Sequence, residues 1–210
     1  MSDLPLKLVS LQDLNLTNDY EETGETCQEV ALGKARYFFE KCSQNLKGLQ
    51  TFKVKNSIIL ADDSGIWVDA LPGELGVESR RWGAGEKASD VEWLDYFLKK
   101  IEKVPAEKRT ARFISAIALI IPQDLKGLQT FKVEIFEGIV EGTLTQTLEA
   151  PLKQGVPLSS IFKPIGSDKV FSAMTSAEKA YFSHRGKAVA KAKDFILPSL
   201  PLLLALVLIQ

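Results

Sequence analysis

Three short segments hold residues whose types and spacing could do chemistry. Ala61-Asp62-Asp63-Ser64-Gly65 sets two adjacent carboxylates at the end of the apolar run Ser57 to Ala61. Desolvated like charges repel, so such a pair calls for a cation or a proton. Oxygen-only ligands favour magnesium, which keeps several waters and uses one or two carboxylates together with substrate phosphates. Asp-Asp-Ser-Gly is equally a good turn sequence, and the segment alone leaves both readings open. Glu21-Glu22-Thr23-Gly24 offers further carboxylates, or simply an acidic helix start favoured by the helix dipole. Ser183-His184-Arg185-Gly186 gathers a hydroxyl, an imidazole and a guanidinium where a helix begins, with Lys179 about one turn earlier. That arrangement suits an anion, although a histidine there could also be only a cap.

The scarce residues exclude other chemistries. His184 is the sole histidine, so no histidine-rich zinc site can form and any Ser-His-Asp triad would have to use it. Cys27 and Cys42 fall on one helix, too far apart along it to bridge. They read as reduced, half-buried thiols, which fits a reducing cytoplasm. Lysine and arginine number 26 against 27 acidic residues in 210, so no basic excess marks a nucleic-acid surface. With 45% apolar residues the chain is rich enough to fold as a globular protein. Met1 to Pro5 lacks the basic start and apolar run of a secretory leader.

The elements that must position these groups alternate. Thr26-Cys27-Gln28-Glu29 is a capping box. It predicts a helix to Cys42 with Val30, Ala31, Ala35, Phe38, Phe39 and Cys42 at helical spacing. Ser57 to Ala61 reads as a short strand, and Ile66 to Val68 as a return to extended structure. Ser89-Asp90-Val91-Glu92 opens a second helix, with Val91, Leu94, Leu98 and Ile101 on one face. Arg112 to Ile121 is a nearly continuous apolar run and predicts a central strand. Glu134 to Thr147 reads as a bent hairpin strand with Gly138 and Gly142. A loop over Ala150 to Gly166 leads toward a last helix, Lys187 to Phe195. The mixture predicts an α/β class with a mixed sheet.

Two features stand apart. Leu46 to Val54 recurs unchanged as Leu125 to Val133. Two copies do not make a solenoid, and the segment reads as an insertion tolerated at two surface connections, with a paired hairpin edge as the alternative. Residues 196–210 form an apolar tail interrupted by Pro198 and Pro201. It is shorter than the roughly 20 residues of a membrane span. The readings open to it are packing on the body or a dimer contact, a shifted reading frame, and membrane contact.

The three chemical segments occur within a longer series. It runs Glu-Glu-Thr-Gly-x-Thr (Glu21 to Thr26), Ala-Leu-x-Lys-Ala-Arg (Ala31 to Arg36), Ala-Asp-Asp-Ser-Gly, and the Val68 to Arg81 segment Val-Asp-Ala-Leu-Pro-Gly-x-x-Gly-Val-x-Ser-x-Arg. Then come Arg-Thr-Ala-Arg-Phe (Arg109 to Phe113), Glu137 to Gly142, Ile161 to Pro164, Glu178-Lys179 and Ser-His-Arg-Gly-x-Ala. This series resembles the inosine triphosphate pyrophosphatase family over roughly Leu6 to Phe195. The resemblance implies a two-lobed α/β fold, with a long curved mixed β-sheet flanked by helices, as a single domain over residues 1–195. It implies a cytoplasmic homodimer with no nucleic-acid or membrane partner. It also implies a Mg2+-dependent hydrolase taking non-standard purine nucleoside triphosphates (ITP, dITP, XTP) to the monophosphate and pyrophosphate. Matched residue by residue, Glu21 and Asp63 take the metal positions and Asp63 that of the catalytic base. Ser64, Lys179, His184 and Arg185 take substrate-binding positions.

The chain departs from the pattern twice. Nothing matches the family's Thr/Ser-Gly-Asn-x-x-Lys phosphate loop, and Leu6 to Ser10 aligns with the strand that follows it. The base-reading Gly-Phe-Gly-Tyr-Asp-Pro aligns with Gly155-Val156-Pro157-Leu158-Ser159-Ser160, without its rings or carboxylate. The alternative function is therefore a truncated, catalytically weak relative that binds nucleotide or dimerises.

Overall fold

The computed structural model describes residues 4–44, 57–85, 87–125, 128–198 and 205–209. Among the described residues, six strands and four α-helices follow one another. They are β1 (Lys7–Ser10), α1 (Cys27–Gln44), β2 (Ser57–Val68), α2 (Asp90–Ile101), β3 (Thr110–Leu125), β4 (Leu128–Leu144), β5 (Phe162–Pro164), α3 (Ser176–Phe182), α4 (His184–Ile196) and β6 (Ala205–Ile209). The sheet order is β1-β6-β2-β3-β4-β5. β6 runs parallel to both β1 and β2, while β4 and β5 are antiparallel. The fold is thus α/β with a mixed sheet. Among the described residues no helix is long and apolar enough to cross a membrane.

The chain divides into two compact units. The first comprises residues 1–63, 115–137 and 188–210, and the second residues 64–114 and 138–187. In the first, Ile58 and Leu60 of β2 pack with Ile117, Leu119 and Ile121 of β3 against Ala188, Ala192 and Ile196 of α4. Side chains alternate along a strand, so Ile59, Ala61 and Asp63 share the opposite face of β2. The buried stripe of α1 is Cys27, Val30, Ala31, Lys34, Ala35, Phe38 and Cys42. Its capping box forms as expected, with Glu29 accepting from the Thr26 amide and the Thr26 hydroxyl accepting from the Glu29 amide.

Several expectations change. Asp62-Asp63-Ser64-Gly65 is no turn: β2 runs unbroken through it, with both aspartates buried. Gly65 permits this, because a Cβ there would strike the Gly76 carbonyl, next to the antiparallel bridge between Ile66 and Gly76. On α2 the buried face is Trp93, Leu94, Phe97 and Ile101, while Val91 is exposed. Leu94 and Ile101 keep their expected places, while Trp93 and Phe97 replace Val91 and Leu98, and their two rings stack, 5.6 Å apart, in the core of the second unit. That core also holds Phe162 and Phe171.

The first copy of the repeated segment lies outside the described residues. The described residues of the second are strand rather than inserted loop: Leu125 ends β3, and 128–133 open β4, its neighbour in the sheet. Thr130, Phe131 and Val133 have the shapes that suit a pleated surface, and the Phe131 ring sits 4.4 Å from that of Phe39. Within the apolar tail, β6 takes a place between β1 and β2 in the first unit, with Val207 and Ile209 fully buried.

Candidate active site

Each unit carries one constellation. In the first, α1 presents Lys34 from its buried stripe toward β2. The Lys34 ammonium lies 2.6 Å from Glu22 Oε1 and 3.3 Å from Asp63 Oδ1. Burial alone would lower the Lys34 pKa, but its hydrogen bond to Glu22 and the field of Asp63 reverse this and raise it. Burial raises the Asp63 carboxyl against the pull of Lys34, and Glu22 adds to the rise. The Cys27 thiol also bonds this carboxylate. Two carboxylates share one ammonium, which leaves a surplus negative charge in a desolvated place. Asp63 Oδ2 is buried without a hydrogen-bond partner.

That oxygen is the feature a divalent cation would satisfy. Magnesium asks for only one or two protein carboxylates when substrate phosphates and waters complete its octahedron. Among the described residues no group of three histidine, cysteine or acidic side chains forms a self-sufficient metal cage, so any ion here would depend on such outside ligands. Of the sequence candidates, Asp63 lies in the cluster. Glu21 is exposed, and the adjacent Glu22 turns onto Lys34. In the sequence Lys34 stands only as the lysine of the Ala31 to Arg36 motif, with no site role. The signal was available: a lysine between Val30 and Phe38 on an otherwise apolar stripe needs an acidic partner in the core.

In the second unit a cavity of about 430 Å3 brings together Ser64, Lys179, His184 and Arg185. Its lining is largely aromatic and aliphatic and includes Trp93, Phe113, Phe171, Val156, Pro157 and Leu158. This size and lining are typical of small-molecule sites. Arg185 donates to the Ser64 hydroxyl at 3.1 Å. The Ser183 hydroxyl accepts from the Gly186 amide at 2.9 Å and so caps α4. His184 is free of capping duty. Its ring stacks on Phe113 at 4.9 Å and 12°, and its Nδ1 is buried without a partner. Burial, helped by the neighbouring Arg185 charge, pushes the His184 pKa down to about 3. The imidazole is therefore neutral near pH 7 and acts through hydrogen bonding and stacking.

Lys179 is placed by α3, an element whose Thr175-x-x-Glu178 capping box marks it in the sequence. Glu178 accepts from the Thr175 amide and hydroxyl, at 2.8 and 2.9 Å, and from Lys169 at 2.7 Å. These bonds hold its carboxyl down to about 2. Burial and the charge of Lys153 lower the Lys179 pKa. A cation held beside another cation gains when an anion arrives. The segment Gly155 to Ser160 lines the cavity through Ser159, its 157–160 portion folded as a 3-10 turn. The Ser159 hydroxyl donates to the Val156 carbonyl at 2.7 Å and pairs with the Ser172 hydroxyl at 2.8 Å. Arg80, which the sequence reading did not single out, also lines this cavity.

The chain is 36% identical over 196 residues to the dITP/XTP pyrophosphatase of Caldanaerobacter subterraneus, covering 93% of this chain and 86% of that protein. It is 35% identical to the protein of the same name from Bacillus cereus, covering 91% and 83%. Among solved structures it resembles the Ham1 protein of Staphylococcus aureus, with TM-score 0.71 and 27% identity over 91% of this chain and 86% of that one. It also resembles a HAM1 protein from Coxiella burnetii, with TM-score 0.72 and 27% identity over 94% and 89%. A sequence model of the Ham1 family matches residues 1–195, and the chain belongs to that family.

Proposed function

We propose that this protein is a magnesium-dependent hydrolase of non-standard purine nucleoside triphosphates, ITP, dITP and XTP, releasing the monophosphate and pyrophosphate. The observation that carries the reading is the cavity of the second unit. It pairs flat apolar walls, suited to a base, with Lys179 and Arg185, suited to phosphates. The names of the relatives, dITP/XTP pyrophosphatases, support the substrate class.

The roles follow from chemistry. Lys179 and Arg185 bind phosphate oxygens at the start of α4, where the helix dipole favours negative charge. Ser64, already holding Arg185, orients it. Neutral His184 offers a hydrogen bond from a ring fixed against Phe113. Asp63, raised by burial, takes the proton of the attacking water. Lys34 keeps the Asp63 carboxylate oriented through Oδ1 and leaves Oδ2 available. Asp63 and the Glu21-Glu22 pair would hold magnesium, which supplies Lewis acidity toward the phosphate oxygens. The buried reduced thiols fit a cytoplasmic setting, and a homodimer follows from the family resemblance.

A second reading, a nucleotide-binding relative with little turnover, rests on Lys34 already bridging the two carboxylates. A pyrophosphate-release assay on ITP, XTP, ATP and GTP, with and without magnesium, separates them. The enzyme reading expects magnesium-dependent release with ITP favoured over ATP by less than roughly 100-fold, the range open to an apolar slot. Nucleotide binding without release would establish the second reading.

A further inference from the structure

We propose that Arg80 reads the base, its guanidinium donating to the O6 and N7 edge of a 6-oxopurine; this rests on the purine triphosphate reading above. Most polar groups of the cavity near the loop are already engaged. The Ser79 hydroxyl accepts from the Ile66 amide and donates to the Gly76 carbonyl. Ser159 commits its single proton to the Val156 carbonyl, so it offers a ligand only a lone pair. The rest of that loop, Val156 to Leu158, is apolar at its side chains.

Arg80 is different. Its Nη2 donates to the Ala88 carbonyl at 3.0 Å and stands 3.7 Å from Asp90 Oδ1, beyond hydrogen-bond reach. A guanidinium carries five N–H donors in a planar fork, and its side chain is 48% exposed. The anchor also ties Arg80 to the cavity. Asp90 Oδ2 accepts from the Gly155 amide at 2.6 Å, so one carboxylate at the start of α2 bonds the beginning of the loop and faces the arginine's charge at 3.7 Å. Charge, exposure and a fixed base combine in a donor that is preorganised and still unfilled.

A base edge with two acceptors side by side matches that fork. Arginine bidentate to O6 and N7 is the commonest specific arginine–purine contact in nucleic-acid recognition. Hypoxanthine and xanthine present that edge, as does guanine. Adenine replaces the O6 acceptor with an amino donor, which faces the guanidinium N–H groups unfavourably. Arg80 therefore separates 6-oxopurines from adenine and does not separate inosine from guanosine. The arginine would supply the polar recognition that the loop's own side chains lack.

The test compares wild type, Arg80→Lys and Arg80→Ala on ITP, GTP and ATP. It measures kcat/KM with magnesium and equilibrium binding without it. The proposal expects the ITP/ATP and GTP/ATP ratios to fall together, by about 10-fold or more in Arg80→Ala, mainly through KM. Arg80→Lys should recover part of the loss, because a point charge replaces the fork. An equal fall for all three nucleotides would make Arg80 a phosphate contact and overturn the proposal, as would unchanged ratios. A fall in ITP with GTP unaffected would also overturn it. A wild type that hydrolyses no triphosphate overturns the function proposed above, while the binding ratios still decide the role of Arg80.

Discussion

The stability of this protein should fall between pH 8 and pH 5 by an amount assignable to one side chain. The chain holds a single histidine, so an imidazole titration in that range belongs to His184. Its ring is packed on Phe113, and its pKa is lowered from 6.5 to about 3, chiefly by burial. Above pH 6.5 the ring is neutral in both the folded and the unfolded chain and costs nothing. Below 6.5 the unfolded chain takes up the proton first, so stability is lost as pH falls toward 3. At pH 5 the difference is RT ln[(1 + 10^1.5)/(1 + 10^−2)], about 2 kcal/mol. Urea unfolding of wild type and His184→Gln at both pH values measures it. The wild type should lose about 2 kcal/mol more than the variant over the interval. The lone imidazole resonance should also show no titration near 6.5 in the folded protein. An imidazole midpoint near 6.5, or identical pH dependence in the two proteins, would refute the buried, neutral ring.

Other outcomes follow from the same geometry. Asp63→Asn should lower turnover by about 1,000-fold with the thermal melt intact, as expected for a lost general base. Asp62→Asn should do less, since it faces the other side of β2, and an active Asp63→Asn enzyme would remove Asp63 from the mechanism. Lys34→Met leaves Glu22 and Asp63 without their shared cation and should cost about 3 kcal/mol in denaturant unfolding; a neutral result would mean the cluster is solvated. Val207→Ala should cost about 2 kcal/mol if β6 is an integral strand, against a few tenths if the tail is an appendage. Neither thiol should react with a disulfide reagent in the folded state, because both are buried and the Cys42 thiol is pushed up to about 11; fast native labelling would contradict that placement.

Local chemistry carried much of the architecture in the sequence. The Thr26 and Ser89 capping boxes mark α1 and α2 because their hydrogen bonds lie within four residues. The Thr175 box is equally local and would have marked α3, an element absent from the sequence-based expectations. Long-range contacts were harder to read. Gly65 looks like part of a turn until the Gly76 carbonyl is found against it. The place of β6 depends on two parallel partners distant in the chain, a pairing that no short-range pattern encodes. At the candidate site, Lys179, His184, Arg185 and Ser64 do share one cavity. Glu21 and Glu22 are indistinguishable as residue types, and only packing against α1 decides which one meets Lys34. Arg80 sits beside another arginine and carries no local signal; Asp90 and the cavity give it meaning.

Phosphorus NMR of the products of ITP and XTP hydrolysis with magnesium present decides whether cleavage falls between the α and β phosphates. Inosine or xanthosine monophosphate should appear together with pyrophosphate, with no accumulation of diphosphate or orthophosphate. A nucleoside diphosphate with orthophosphate, or unchanged triphosphate after prolonged incubation, would contradict it.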